Sequence, residues 1–97
     1  MIYQIILHSE IKSDLTNAAL WYENHQIGLG VEFIDEFNET LICIQKYPGA
    51  FPLKAKKLRN ISMKRFPFIV VFEIIENVVF VSLLIHAKQK PSKRIRK

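Results

Sequence analysis

From Phe68 to Ile85 the chain reads FIVVFEIIENVVFVSLLI, a run in which only Glu73, Glu76, Asn77 and Ser82 are polar. An apolar stretch of this length is either a membrane-spanning helix or a pair of buried strands. Two carboxylates and an amide in its middle cost several kcal/mol in hydrocarbon, which argues against the membrane. β-Branched and aromatic residues flank Glu76-Asn77 on both sides, so the run predicts a two-residue β-hairpin with Asn77 suited to positive φ. Along the first arm Phe68, Val70, Phe72 and Ile74 alternate with Ile69, Val71, Glu73 and Ile75, so both faces are largely apolar. One layer of helices covers one face. The other calls for a chain terminus or a partner.

The rest of the chain supplies the helices. Ile2, Tyr3, Ile5 and Leu7 predict a first strand ending at His8-Ser9, with Ser9 placed as an N-cap and Glu10 favourable to the helix dipole. Ile11, Leu15, Ala18 and Tyr22 then predict a helix from about Glu10 to Gln26. Gly28-Leu29-Gly30 interrupts it, and Phe33, Ile34, Phe37, Leu41 and Ile44 predict a second helix up to Tyr47-Pro48-Gly49. So short a connection makes the two an antiparallel hairpin. A basic connector follows, and Leu58 to Met63 predicts a short strand. The expected fold is α+β in the order β-α-α-β-β-β, a helical hairpin packed on a small, mainly antiparallel sheet. At 97 residues there is room for one core, assigned to residues 1–87, with a basic tail over 88–97.

Charge is divided between the halves. Residues 1–52 carry two lysines against seven acids, net −5, and residues 53–97 carry twelve Lys and Arg against two acids, net +10. Such a half raises the local concentration of polyanions or of an acidic partner. Cys43 alone makes no internal disulfide, and no basic n-region precedes an apolar stretch with a cleavage site at the N-terminus, so a cytoplasmic setting is expected. Beside Ile42 and Ile44, Cys43 reads as a core or boundary residue rather than a nucleophile.

Phosphate-binding loops and paired metal ligands are absent from the sequence: His8, His25 and His86 are dispersed, so no cofactor and no metal is expected. The remaining chemistry is cationic. Lys54, Lys56, Lys57, Lys64 and Lys88 are candidates for nucleic-acid or target contact. Metal-free cleavage of RNA through its own 2′-hydroxyl needs an acid, a base and cations on the phosphorane, and His86 with Arg65 and Arg59 is the candidate set. A histidine at a strand end also serves as a solvated or hydrogen-bonded group without chemistry. Lys64 and Arg65 are adjacent, and in a regular strand they point to opposite faces.

Several short words in this order resemble the RelE/ParE superfamily, the toxin halves of bacterial type II toxin-antitoxin pairs. They are Asp14-Leu15-x-x-Ala18 with Trp21-Tyr22-Glu23, Gly28-Leu29-Gly30-x-x-Phe33, Tyr47-Pro48-x-x-Phe51, Arg59, Lys64-Arg65-Phe66-Pro67-Phe68, and His86 followed by Pro91. The Lys-Arg-Phe-Pro-Phe element is similar to the ParE and plasmid-stabilisation side. The arginine that often follows the histidine in the family is replaced here by the Lys88-Gln89 region, and Ser92 to Lys97 hold no aromatic to match the C-terminal tyrosine of RelE-like ribonucleases. The resemblance implies a toxin that arrests growth, neutralised by a cognate antitoxin in a hetero-oligomer. It further implies either binding of DNA gyrase, as ParE-like members do, or cleavage of mRNA on the ribosome, as RelE-like members do. An antitoxin segment laid on the toxin would supply apolar cover for the hairpin and acidic charge against the basic half. A non-toxic nucleic-acid-binding protein and a degenerate toxin that still binds its antitoxin are the other expectations.

Overall fold

The computed structural model describes residues 3–88. In chain order the elements are β1 (Gln4–Leu7), α1 (Ile11–His25), α2 (Leu29–Lys46), a 3₁₀ turn (Pro48–Ala50), β2 (Leu53–Ala55), β3 (Leu58–Ser62), β4 (Phe68–Ile75) and β5 (Val78–His86). The sheet order is β1-β5-β4-β3-β2, with β1 parallel to β5 and the other pairs antiparallel. This is the expected α+β arrangement, with one three-residue edge strand, β2, added inside the basic connector. No helix among the described residues is long and apolar enough to cross a membrane.

α1 starts without help from Ser9. The His8 carbonyl accepts the Ile11 N–H at 2.9 Å and the His8 ring Nδ1 accepts the Glu10 N–H at 3.1 Å, so the first donors are satisfied by the residue before the expected cap. The α1–α2 junction turns on two glycines with different duties. Gly28 sits at φ +89°, where only glycine is unstrained. Gly30 lies inside α2, and a Cβ there would stand 2.6 Å from the Ala19 carbonyl oxygen, so it permits close helix approach rather than breaking the helix. The Glu23 carboxylate of α1 accepts the N–H groups of Gly28 and Gly30, both at 2.9 Å, and thereby caps the start of α2 with a negative charge.

The helices bury Ile11, Ala18, Ala19, Phe33, Phe37 and Ile44 against Val70, Phe72, Val79, Val81 and Leu84 of the sheet. Phe33 is fully buried in an aromatic cluster, with centroids 5.3 Å from Tyr22, 5.0 Å from Phe66 and 5.1 Å from Phe68. Cys43 falls outside this stripe and is exposed, where a core or boundary position was expected, because the buried side of α2 runs through Phe37, Thr40 and Ile44.

The hairpin forms as expected, but Glu76 takes the positive φ, +55°, not Asn77. Its register shifts once. Val71 pairs with Leu83 while Phe72 pairs with Val81, so Ser82 is an extra residue on β5, and its hydroxyl donates to the Val71 carbonyl at 3.3 Å. Below the bulge Val79 and Val81 face the helices; above it Leu84 and His86 do. The opposite face closes over Val71, Leu83 and Ile85, all at most 2% exposed, with Leu58 and Ile69 packed on them. The second apolar face is thus already buried at its centre within the chain.

Candidate functional site

Spacing of three and four residues puts Asp14, Asn17, Ala18, Trp21 and Tyr22 on one side of α1. That side forms one wall of a cleft of about 670 Å³, closed by Pro67 and Phe68 at the start of β4 and by Leu84 and His86 at the end of β5. His86 reaches this cleft only because of the Ser82 bulge. A strict two-residue alternation from Val79 and Val81 would point His86 to the other face.

The groups in the cleft are held. His86 packs edge-on against Phe68, centroids 5.3 Å apart, and its Nδ1 accepts the Lys88 backbone N–H at 3.2 Å. A ring nitrogen that accepts carries no proton, so the proton of the neutral imidazole sits on Nε2 as a donor. Trp21 is 57% exposed, unusual for so large a ring, and its plane is fixed by His25 stacked at 3.9 Å, whose Nδ1 donates to the Trp21 carbonyl at 2.7 Å. Burial pushes the Tyr22 phenol above its ordinary range near 10.

The other two residues of the ribonuclease set lie elsewhere. Arg59 stands on β3 opposite Phe72, four residues along β4 from the Phe68 that pairs with His86, or about 13 Å. Its guanidinium donates to the carbonyls of Phe51 at 2.6 Å and Gly49 at 3.4 Å, which ties down the 3₁₀ turn. Arg65 pairs with Glu32 of α2 and lies near Glu36, and this partnership holds its guanidinium above the usual arginine range. Its backbone N–H donates to the buried Glu36 carboxylate, 3.0 Å to Oε2. Lys64 and Arg65 occupy the bend between β3 and β4, so the opposite-face expectation for a regular strand does not apply. Both flank a second depression of about 310 Å³ with Glu32, Asp35, Glu36 and Glu39.

Of the lysines, Lys54 is on β2, and Lys56 and Lys57 form the exposed β2–β3 turn with Lys56 at φ +49°. Lys88 is exposed at the cleft's end of β5. Residues 89–97 of the basic tail lie outside the described residues. Among the described residues no group of three or more His, Cys, Asp or Glu is placed to hold a metal ion. Sequence reasoning singled out His86 but not Asp14, Asn17, Trp21 and Tyr22 as its neighbours. The signal for them was present as a polar and aromatic stripe beside the buried face of α1.

A helical hairpin on a sheet of this order, with the first strand parallel to the last, is shared with solved toxin structures. The chromosomal ParDE system from P. aeruginosa matches at TM-score 0.76 with 14% identity, over 90% of this chain and 98% of that chain. The E. coli toxin RelE, an arginine-substituted form in the free state, matches at TM-score 0.70 with 16% identity, over 98% of this chain and 94% of that chain. The chain has the RelE/ParE fold. At these identities the likeness is one of backbone architecture. No family model and no curated protein matches the sequence. Within the RelE/ParE fold this chain separates its cations: Arg59 and Arg65 are engaged in structure, and the α1 cleft presents aromatic rings with Asp14 and His86.

Proposed function

We propose that this chain is the toxin of a type II toxin-antitoxin pair and arrests growth by binding DNA gyrase rather than by cutting RNA. The resemblance in sequence and the shared fold support the toxin role. The observation that favours binding over cleavage is the separation of His86, Arg59 and Arg65 into three surroundings. A metal-free ribonuclease needs acid, base and cation within reach of one phosphate. With Nδ1 accepting the Lys88 N–H, Nε2 carries the proton, so His86 serves as a base at Nε2 only in its other tautomer, which gives up the Lys88 contact, as the imidazolium does.

A cognate antitoxin has apolar surface available on the helical hairpin, where Leu20, Ile27 and Val31 are 56%, 92% and 62% exposed, and on the edge strand β1 at Ile6 and Leu7. Cover for the centre of the sheet's second face is not required of it, since Val71, Leu83 and Ile85 are buried without a partner.

The deciding experiment is induction of the chain in bacteria without its partner, with growth, mRNA 5′ ends and plasmid supercoiling followed together. Growth arrest with altered supercoiling and no codon-phased new ends is the expected result. New ends at phased positions in translated messages would replace this reading with the ribosome-dependent endoribonuclease, and harmless overexpression would leave a non-toxic or degenerate protein.

A further inference from the structure

We propose that two copies of this chain associate through the closed end of the helical hairpin, where Leu20, Trp21, Ile27, Val31 and Ile34 form one apolar surface. The dimer goes beyond the gyrase reading and does not depend on it.

The surface follows from the close approach of Ala19 and Gly30. That approach brings the backbones of α1 and α2 together, so Leu20 next to Ala19 and Val31 next to Gly30 stand beside the same crossing. Ile34 lies four residues after Gly30 and so keeps to the α1 side of α2. Trp21 follows Leu20, and Ile27 sits in the connection between His25 and Leu29. All five are exposed, Ile27 at 92%. Together they leave on the order of 400–500 Å² of apolar surface in water. Each partner brings about that much to the smallest stable interfaces, near 1,000 Å² in total. Trp21 suits the centre of such a contact, because tryptophan is prominent among residues that carry binding energy and the stacked His25 already fixes its ring.

Charge selects a second copy as the occupant. The helical half is acidic, but its carboxylates are turned away from this end or already matched. Glu10 and Asp14 belong to the other end of α1. Glu23 accepts the N–H groups of Gly28 and Gly30, and Glu32 pairs with Arg65. Asp35, Glu36 and Glu39 line the depression they share with Lys64 and Arg65. An acidic or basic partner would find no counter-charge among the five residues, whereas an identical uncharged patch matches them. About a two-fold axis the same patch serves both copies, so the contact closes at two. Leu20, Ile27 and Val31 are also the apolar surface available to an antitoxin, so self-association and neutralisation compete. That consequence alone rests on the toxin reading.

The test is sedimentation velocity of the full chain over about 1–500 μM, with Trp21 emission recorded alongside. The expected result is a passage from one to two chain masses with a midpoint on the order of 10 μM. Trp21 is the sole tryptophan, so its emission should shift to the blue over the same range. Fivefold more salt should leave the midpoint within about twofold, because no ion pair crosses an apolar contact. Ile27→Asp, whose side chain is in water in the single copy, should keep the circular dichroism spectrum and raise the midpoint at least tenfold. Tyr47→Asp, exposed at the other end of α2, should leave it unchanged. A single chain mass throughout would overturn the proposal. So would a dimer that survives Ile27→Asp, one that salt or Tyr47→Asp dissolves, or growth past two copies.

Discussion

At the scale of single residues, this fold relies on side chains that satisfy backbone donors of another element. Glu23 holds two N–H groups at the start of α2, and Glu36 holds the Arg65 N–H from the β3–β4 bend. Removing the first leaves two donors at a helix N-terminus to water, so Glu23→Ala should cost about 1–2 kcal/mol in urea unfolding. Glu23→Gln, which keeps one acceptor, should recover part of the loss. Tyr22 sets a pH dependence. Burial raises its phenol above the ordinary value near 10, so its contribution is complete below pH 10 and declines as pH rises through the folded-state value. Stability should therefore fall in the alkaline range, and Tyr22→Phe should flatten that fall. Ultraviolet titration of the two proteins should differ by one phenol ionising above 10.

At the scale of elements, the helical hairpin and the bulged strand each depend on one small residue. Gly30 meets a backbone oxygen, not the far end of a flexible side chain, so Gly30→Ala must push α1 from α2. We expect a loss of about 1–3 kcal/mol by denaturant midpoint despite the better helix propensity of alanine. Ser82 has a geometric effect. As the extra residue of β5 it turns Leu84 and His86 toward α1 and leaves Leu83 and Ile85 for the opposite face. Deleting Ser82 puts Leu83 directly after Val81 opposite Val71 and restores the two-residue period with Leu84 and His86 still turned toward α1, so the deletion should keep His86 in the cleft. The readout is persistence of the His86 resonance shift that Phe68's ring current imposes in the intact protein.

At the scale of the whole molecule, the sheet is buried on both sides with unequal cover. Helices protect one face with a large aromatic cluster, while the other closes over a small patch centred on Leu83. Leu83 is 1% exposed, so Leu83→Ala should cost about 2–5 kcal/mol even though it lies away from the helices. A cost under 1 kcal/mol by calorimetry or denaturant titration would show that this face opens readily. Charge is divided on the same scale. The net −5 half contains both helices and the net +10 half runs from β2 to the C-terminus, and the two meet where Glu32 and Glu36 of α2 face Arg65.

Much of this architecture followed from periodicity. Glu73, Glu76 and Asn77 inside an apolar run define a hairpin, and three-to-four spacing from Ile11 to Ile44 defines two helices, because each element buries one stripe and pays in patterning for every polar group it misplaces. The residues of the cleft were visible as words of the sequence, but not as neighbours. Their meeting depends on a bulge of one residue, and Ser82, the one polar residue between Val78 and Ile85, does not by itself say whether the strand alternates past it or bulges at it. The roles of Arg59 and Arg65 were equally hidden. Their sequence context is cationic, and only chain folding brings the carbonyls of Gly49 and Phe51 to one and the carboxylates of α2 to the other. Local pattern determined the elements and the faces they bury, since those depend on contacts a few residues apart. Tertiary structure decided which cations are occupied and which face carries His86, since both depend on register and on partners from 8 to 33 residues away.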